Sequence, residues 1–577
     1  MKRIKNPSKL YIPGFEPWRG YLTEKKVDLL EKSWAGVFRK YVTPKLPVKK
    51  LGEHYSDNMG RPSKELTTVL GAVVLQQIFD LTDAETRDQL AFNQQWHYAL
   101  DMFNQTDQLL CLKTLWTVRN NLVESGSDKE IFDSATDNFS VALCVDNSLQ
   151  RIDSVHIHSN MARLGRVRLL SRVIHIFLKN LRRHHSEKYK SVITSELQER
   201  YEKKDSAGYF GDVKPTESRK RLIDIGKDLY FLLTRFSDDG DVTNMYSYKL
   251  LGRVFGEHYK VDNEGEVTIL PAKNVSSGSL QNPSDPDAAY DSHKGQGYQV
   301  QIMESYSRKD DNDGAEEPAL NLITYAKVEP ANVHDSGALE PALDDVEMRS
   351  LLPEEVAADT HYGSEDNKKM AKAKGVELIA PLPGKKSKKD FREFEFDRKS
   401  LEVIECPNGK KPDEIKHNKK GSITATWFFG QCFYCHYAGD CPTRIGSKGR
   451  CLHYTRKEIQ LWFRREYEES KEFKDKYRYR AGIEGTNSRF IGMTGARRLR
   501  YRGLGRVRFA GILKVLGVNL FRVTRYIQQT GKKPTQTVVL QAINAFSSFA
   551  FSIFNRILDL ISVFKEDENR TIKIAFV

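Results

Sequence analysis

The chain has 577 residues, of which 39% are hydrophobic and 29% charged, so it is long enough for several domains with a sizeable core. A net charge of +14 and a pI of about 9.1 indicate a polyanionic partner. No apolar run follows the first residues, so we expect no secretory signal. The seven cysteines then favour a reducing, cytoplasmic compartment over a disulfide framework.

The N-terminal region has a helical pattern. Apolar residues recur at helical spacing from Leu66 to Phe79, and Thr82 and Glu85 have the spacing of a capping box. Another helix is predicted around 114–122. Short helices joined by tight turns suit a small DNA-binding module and a structural bundle equally well. We predict a helical N-terminal domain over residues 1–125, with an irregular stretch in its first fifty residues.

Alternating β-branched residues mark the beginning of a sheet. The stretch 149–158 predicts a strand that carries Asp153, within a first core segment at 145–162. A mainly helical, basic insertion is predicted over 163–280, and the core is expected to continue over 281–385. Four further strands are predicted at 297–302, 322–328, 356–359 and 376–380.

The last two of these strands flank a helix that Ser364 caps and that stops at Gly375. A strand–helix–strand unit of this kind predicts parallel neighbours, and Asp359 ends the first of the two strands. In such sheets the working groups lie past the carboxyl ends of the strands. We therefore predict an α/β protein with a mixed sheet, a helical N-terminal domain and large insertions.

Three further regions are expected after the core. They are a cysteine-rich insertion at 386–470, a functional helix with a basic region at 471–530, and an amphipathic tail at 531–577. The most apolar part of the tail, 542–564, is interrupted by polar and charged residues. We expect it to form a docking or dimerising helix rather than a membrane span.

The segment 476–525 concentrates positive charge around a single acid, Glu484. Its basic residues are Lys476, Arg478, Arg480, Arg489, Arg497, Arg498, Arg500, Arg502, Arg506, Arg508, Lys514, Arg522 and Arg525. On a helix, Tyr477, Arg480, Glu484, Asn487 and Ser488 share one polar face. Such an acid suits a metal ligand among phosphate-binding cations, although a helix whose acid pairs with its arginines is an equally simple reading.

Three carboxylates stand out by context, namely Asp153, Asp359 and Glu484. Carboxylates that are buried together need cations, and Mg²⁺ prefers oxygen ligands. Two such ions about 4 Å apart activate a nucleophile and stabilise the leaving oxygen of a phosphoryl displacement. Each aspartate alone is also explained as a strand-end or turn acid. The combination with the predicted sheet and the basic helix favours a shared metal site.

Several motifs together resemble bacterial insertion-sequence transposases of the DDE type, in the branch with a Tyr-Arg-Glu-Lys signature. These motifs are Asp153-Ser154, Asp285-Pro-Asp287-Ala288, Gly297-Tyr298, Pro330-Ala-Asn-Val-His334-Asp335-Ser336, Ala358-Asp359-Thr-His-Tyr362-Gly-Ser364 and Tyr477-x2-Arg480-x3-Glu484. The helical N-terminal region is similar to that of the same transposases. The resemblance covers roughly residues 50–525 and implies a ribonuclease-H-like core.

The resemblance implies Mg²⁺- or Mn²⁺-dependent DNA cleavage and strand transfer, with two ions held by Asp153, Asp359 and Glu484. Tyr477 and Arg480 are then expected to contact DNA near the cut, and Arg489, Arg497 and Arg498 elsewhere. The implied partners are double-stranded DNA, as terminal inverted repeats and target, and a second copy of the chain. The implied setting is the bacterial nucleoid. One departure is Ile491, which stands where the signature has its lysine.

A second constellation is rich in cysteine. Cys432 and Cys435 form a C-x2-C pair, and Cys406 and Cys441 flank it, which predicts a tetrahedral zinc site in the insertion. Three other residues, His436, Cys451 and His453, are reserve ligands. A cysteine-rich turn without metal is the alternative. Two remaining cysteines, Cys111 and Cys144, are expected in the core.

Two alternative functions remain open at the level of sequence. Ile491 in place of a lysine suits a transposase-derived protein that binds DNA and no longer cuts it. His156 and His158 share a strand face, as in zinc hydrolases, although nothing else in the sequence matches that class and its members need no basic surplus. The basic helix predicted at 163–183 favours DNA contact.

Overall fold

The computed structural model describes residues 16–56, 58–60, 63–103, 109–202, 215–308, 318–384, 391, 393–418, 421–439 and 441–531. The predicted tail helix at 542–564 lies outside these ranges. Within them, no helix is both long and apolar enough to cross a bilayer.

The N-terminal region is helical, as predicted, and residues 16–50 are more regular than the sequence indicated. Its helices are α1 Pro17–Tyr21, α2 Glu24–Glu31, α3 Trp34–Val37, α4 Val48–Gly52, α5 Leu66–Ile78, α6 Asp83–Phe92, α7 Gln94–Ala99, α8 Leu112–Glu124 and α9 Ser127–Ala142. The capping box at Thr82 and Glu85 is present: the Thr82 hydroxyl accepts from the Glu85 amide at 3.2 Å, and the Glu85 carboxylate accepts from the Thr82 amide at 2.7 Å.

The prediction that Cys111 and Cys144 belong to the core is wrong, because both are exposed. Cys111 is the residue before helix α8, where its Sγ lies 3.0 Å from the Thr114 hydroxyl. Cys144 follows helix α9 in a left-handed turn with φ of 51°. The apolar neighbours that suggested burial face the core from inside the helices, whereas both cysteines lie at helix ends.

The first strand leads into a helical insertion. Strand β1 is Leu149–His158, and the insertion comprises α10 Arg166–His184, α11 Ser186–Val192, α12 Ser195–Tyr201, α13 Pro215–Arg235, α14 Gly240–Thr243, α15 Tyr246–His258 and the hairpin β2 Tyr259–Val261 with β3 Val267–Ile269. The sequence predicted a mainly helical insertion over 163–280 and missed this hairpin. The insertion encloses an apolar core of its own.

The sheet resumes after the insertion. Its later strands are β4 Ala289–Asp291, β5 Gly295–Ser305, β6 Ile323–Pro330, β7 Glu355–Ala358 and β8 Glu377–Ile379, with helices α16 Leu339–Met348 and α17 Glu365–Ala373. The strand order is β4-β5-β1-β7-β8, and β6 also pairs with β5. Strand β1 is antiparallel to β5 and parallel to β7, and β7 is parallel to β8. The predicted α/β fold with a mixed sheet is confirmed.

The cysteine-rich insertion forms a second, smaller sheet. Its elements are β9 Glu395–Phe396, β10 Val403–Glu405, β11 Glu414–His417, β12 Ser422–Phe428, α18 Phe429–Cys432, β13 Arg444–Ile445, β14 Gly449–Thr455 and α19 Arg456–Glu469. Aromatic residues, among them the buried Trp427 and Tyr454, fill its core.

The basic region after this insertion is almost entirely helical. Helix α20 is Lys471–Tyr477, a 3-10 turn follows at Arg478–Ala481, and the remaining helices are α21 Gly482–Thr494 and α22 Leu504–Thr530. The face predicted for one continuous helix is therefore interrupted, with Arg480 in the turn and Glu484 in the first turn of α21. Helix α22 packs against β6 on one side and against α5 and α9 on the other, so one core joins the sheet to the N-terminal helices.

Candidate active site

Three separate elements deliver the three acids predicted from the sequence. Asp153 lies on β1, and Asp359 directly follows β7. These two strands are parallel neighbours in which Ile152 pairs with Ala358, so the next residue on each strand is the acid. Glu484 comes from α21, which packs against β1. The sheet register thus sets two of the acids side by side, and helix packing adds the third.

A single arginine joins the three acids. The guanidinium of Arg480 lies 3.1 Å from Asp153 Oδ2 and 2.8 Å from Glu484 Oε1. Its distance to Asp359 Oδ2 is 4.0 Å. Asn487 also donates to Asp153 Oδ2, at 3.3 Å. One positive charge therefore faces three carboxylates, and the cluster is under-neutralised when all three are ionised.

Burial differs among the three acids. The side chain of Asp153 is 13% exposed and that of Asp359 24%, whereas Glu484 is 66% exposed. Burial raises the pKa of Asp153 to about 6; Arg480 opposes this increase, and Asp359 and Asp335 add to it. Ionisation of Asp153 is therefore unfavourable in the protein alone, as expected for an acid in a site that a further cation would complete.

Two polar atoms in the cluster have no partner among the described residues. Arg480 Nε and Asn487 Oδ1 are buried and make no hydrogen bond. An unpaired buried polar atom costs free energy, so it commonly marks a place where a ligand or ion completes the site. The amide oxygen of Asn487 belongs to the same group whose nitrogen contacts Asp153, so it lies within the cluster.

Tyr477 borders the same cluster. Its ring stacks on Phe473 with 5.5 Å between ring centroids. Burial is the main cause of a raised pKa for Tyr477, and the charges of Asp359 and Asp153 add to it while Arg480 lowers it. The phenol therefore stays protonated, as a hydrogen-bond donor close to the acids.

A second layer of polar residues supports Asp153 from the sheet. Lys294 Nζ donates to Ser154 Oγ at 2.9 Å and lies 3.3 Å from Asp335. Asp335 also accepts from Gln301 at 2.9 Å, and Gln301 accepts from the buried Tyr362 hydroxyl at 2.6 Å. The sequence singled out Asp335 and Tyr362 as parts of motifs but gave them no role. Their position beside two acids becomes visible only in three dimensions.

The sequence missed a buried charge cluster under the site. Glu304 on β5 is fully buried and pairs with Arg151 at 2.7 Å and Arg522 at 2.7 Å. Thr486 donates to the same carboxylate at 2.6 Å, and Arg151 also donates to the Tyr479 carbonyl at 2.7 Å. One available signal was a charged residue in an otherwise uncharged strand, since such residues are rarely buried unpaired.

Apart from Arg480, which is half-buried among the acids, the arginines predicted to bind DNA are exposed. Arg489 lies on α21, whereas Arg497 and Arg498 lie in the loop between α21 and α22, where the Arg497 carbonyl accepts from the His158 amide at 3.0 Å. Ile491 is partly buried and packs against the main core. The side chain at the position of the signature lysine therefore packs against the protein interior.

His156 and His158, the pair behind the hydrolase alternative, lie with ring centroids 4.6 Å apart. Burial lowers the pKa of His156 to about 4, and the neighbouring His158 and Lys294 contribute to this decrease. Among the described residues, no group of three or more histidine, cysteine, aspartate or glutamate side chains is arranged to hold a metal ion as it stands. This holds for the histidine pair and for the three carboxylates alike, and in the described part of the chain the carboxylates converge on Arg480.

The four predicted zinc ligands line one small cavity in the second sheet. Cys406, Cys432, Cys435 and Cys441 surround a space of about 20 Å³. Burial raises the pKa of the Cys432 thiol, and the other three cysteines contribute to the increase. The reserve ligands lie elsewhere: Cys451 and His453 are on β14, and His436 is exposed.

The α/β architecture, with its mixed sheet and helical N-terminal region, is consistent with the ribonuclease-H-like fold of transposases. Comparison with protein families gives a more specific result. Residues 405–524 match the model described as Transposase DDE domain, and residues 35–121 match Transposase domain (DUF772). No curated protein matches the chain.

These two matches confirm the resemblance to an insertion-sequence transposase of the DDE type. The first match contains Glu484 and the cysteine cluster, whereas Asp153 and Asp359 lie outside both matched ranges. The N-terminal match covers helices α4 to α7 and most of α8, the region in which periodicity alone left a DNA-binding module and a structural bundle equally open.

Proposed function

We propose that this transposase cuts DNA strands and transfers them by a DDE mechanism, with Asp153, Asp359 and Glu484 as the metal ligands. The observation that carries the proposal is the convergence of these three acids, from two strands and a helix, on one guanidinium. These acids are separated by more than three hundred positions in the chain, yet they share a single positive charge. Three acids with separate structural roles would not need to meet at one arginine.

The donor set suits Mg²⁺ or Mn²⁺, because both prefer oxygen ligands and the cluster offers three carboxylates and the unpaired amide oxygen of Asn487. Bound divalent ions, two in our proposal, would activate the attacking water or 3′-hydroxyl and stabilise the leaving oxygen of an in-line displacement. In the chain itself, Arg480 holds the acids together, and Asn487 orients Asp153.

The cationic and aromatic neighbours supply the DNA contacts of this proposal. Arg480 and Tyr477 lie beside the acids and are proposed to bind the phosphate next to the cut. Arg489, Arg497 and Arg498 are proposed to hold the duplex further away, because exposed arginines form charge-assisted bonds to phosphate oxygens. Terminal inverted repeats and target DNA are the proposed substrates. Two DNA ends must meet, so we propose a dimer on DNA.

The test is cleavage of a duplex that carries the DNA bordering the coding region, with Mg²⁺ or Mn²⁺. We expect Asp153→Asn, Asp359→Asn and Glu484→Gln each to lower the cleavage rate by on the order of a thousandfold, because each removes a metal ligand. Glu217→Gln is the matched control, since Glu217 is also an exposed acid paired with an arginine four positions away. Wild-type rates in all three site variants would refute the proposal.

The same assay separates an active enzyme from an inactive DNA-binding descendant. Ile491 motivates the second reading, because its side chain packs on the core and offers no charge to a phosphate. Sequence-specific binding by the wild-type chain without cleavage in either metal would favour the inactive protein. Metal-dependent nicking would exclude it.

We further propose that Cys406, Cys432, Cys435 and Cys441 bind one structural zinc ion. Their shared cavity supports this set over the reserve ligands, and tight turns present the cysteines: the Gly409 amide donates to the Cys406 carbonyl at 2.8 Å, and the Cys435 amide to the Cys432 carbonyl at 3.4 Å. Four thiolates form a closed tetrahedral zinc site of the kind that stabilises small sheets with little core.

Metal analysis of the purified chain tests the zinc proposal. We expect about one zinc per chain in the wild type, and loss of that zinc with a lower melting temperature in Cys432→Ser. Cys451→Ser is the control, since Cys451 belongs to the same sheet but lies outside the cavity. A wild-type protein without zinc, or equal zinc content in both variants, would contradict the assignment.

A further inference from the structure

We propose that an arginine channel beside the active site binds the phosphate backbone of the DNA duplex beyond the cut; this inference rests on the proposed function. The channel consists of two adjoining cavities that meet at Met161. Its arginines are Arg163, Arg168, Arg172, Arg498 and Arg502.

The two cavities are open and basic. One has a volume of about 430 Å³ and is lined by Arg168, Arg172 and Arg502; the other has a volume of about 220 Å³ and is lined by Arg163 and Arg498. All five arginines are exposed. Among the described residues, neither lining includes an aspartate or glutamate. Such a surface attracts a polyanion, and phosphate suits it well because guanidinium groups pair with phosphate oxygens in a fixed geometry.

The walls of the channel come from distant parts of the chain. Arg163 lies in the connection that follows β1, Arg168 and Arg172 on α10 of the helical insertion, and Arg498 and Arg502 in the loop before α22. The end of β1 meets that loop through an isolated bridge between His158 and Arg498. The helical insertion and the basic loop thus border one channel.

The Asp285-Pro-Asp287 motif, to which the proposed chemistry assigns no role, holds these walls together. Asp285 is fully buried and accepts hydrogen bonds from Ser159, from the Tyr298 hydroxyl at 2.5 Å and from the Gly503 amide at 2.9 Å. Asp287 accepts from the Leu504 amide at 2.8 Å, at the first turn of α22. Both aspartates therefore fix the basic loop before any ligand binds, which lowers the ordering cost of binding.

The channel lies at a defined distance from the cut. His158 is five residues after Asp153 on the same strand, which corresponds to about 16 Å at the rise of a β-strand. A B-form duplex covers this length in about five base pairs. We therefore expect the channel to contact phosphates that begin about five base pairs from the scissile bond.

The test uses a fluorescent random-sequence duplex in EDTA, with binding measured across a salt series. Removing two phosphate contacts with Arg163→Ala and Arg172→Ala should lower the slope of log affinity against log salt by about 2, with weaker binding at low salt. The control removes two exposed arginines of α13 in the same insertion, Arg219→Ala with Arg235→Ala, which do not line the channel and should leave the slope unchanged. Equal slopes in both double variants would overturn the channel.

A second readout separates this inference from the proposed function. Once the wild-type cut is mapped, hydroxyl-radical footprints should show backbone protection about five base pairs away, lost in the Arg163 and Arg172 double variant and retained in Asp153→Asn. Cleavage by the wild type with a footprint unchanged in the double variant would refute the channel alone. A wild type that binds the duplex but never cuts it would refute the proposed function, while a lower salt slope in the Arg163 and Arg172 double variant would still support the channel.

Discussion

Two clusters of arginine and carboxylate lie on the same sheet and differ in their balance of charge. In the buried cluster, Arg151 and Arg522 both neutralise Glu304, and Thr486 donates to it as well. In the candidate site, Arg480 is the one cation among the described residues that pairs with Asp153, Asp359 and Glu484. The first cluster is saturated with donors, whereas the second has an excess of acids and unpaired polar atoms.

This difference distinguishes a structural cluster from a functional one. A buried charge persists in a folded protein when partners satisfy it, so a saturated cluster needs nothing further. Acids that outnumber their cations destabilise the fold unless another cation binds. The same residue types therefore stabilise the sheet at Glu304 and, in the proposed function, would hold a cation at Asp153.

The two clusters are also connected. Arg151 donates to the Tyr479 carbonyl, so the saturated cluster supports the 3-10 turn that carries Arg480. Gly482, at the start of α21, leaves room for this contact, because a Cβ there would lie only 2.0 Å from Arg151 Nη1. The rigid cluster thereby positions the residue around which the acids gather.

The largest expected contrast comes from one substitution made in each cluster. Glu304→Gln leaves Arg151 and Arg522 without their counter-charge in the interior and should cost about 3–5 kcal/mol of unfolding free energy. Glu484→Gln, the same chemical change at an exposed side chain, should cost at most about 1 kcal/mol. Urea unfolding followed by circular dichroism measures both values. Comparable losses would show that the charge balance does not separate the clusters.

A smaller effect of opposite sign is expected at Asp153. Its pKa in the folded protein is about 6, above the ordinary value of 3.8, so the folded state binds this proton more tightly than the unfolded state. The resulting penalty is fully present above pH 6 and disappears as the pH falls towards 4. Without divalent ions, Asp153→Asn should therefore stabilise the protein at pH 7 by up to about 3 kcal/mol.

Thermal unfolding of wild type and Asp153→Asn at pH 7 and pH 4 checks this sign. The variant should unfold at a higher temperature at pH 7, and the difference should shrink at pH 4. A variant less stable than wild type at pH 7 would mean that Asp153 is already satisfied, like Glu304.

The smallest expected effect is the dependence of the cleavage rate on pH. If Asp153 must be ionised to hold a cation, cleavage should fall by half near pH 6 and then about tenfold per further pH unit. Initial rates at subsaturating Mg²⁺ measure the profile, because saturating metal favours the ionised form and should shift the midpoint downwards. A rate that rises as the pH falls below 6 would contradict a role for the Asp153 carboxylate.

The sequence predicted the local elements well because each has a local cause. Alternation revealed β1, the Ser364 cap and Gly375 bounded α17, and the strand–helix–strand spacing predicted parallel strands with Asp359 at an end. The same local logic failed at Cys111 and Cys144, where apolar neighbours suggested burial but the helix ends leave both thiols exposed. The sequence pattern also missed the 3-10 turn at Arg480, because helical periodicity does not show where an α-helix changes to a 3-10 turn.

What the sequence alone determined is the chemistry available: a basic surplus around Glu484, acids at strand positions, and cysteines at metal-like spacing. Only the tertiary structure decided which charges meet, because partners such as Glu304 and Arg522 are brought together by strand register and helix packing rather than by spacing along the chain. This packing places two arginines beside one acid in the Glu304 cluster and one arginine beside three acids in the candidate site. It is this unequal division that marks the candidate site.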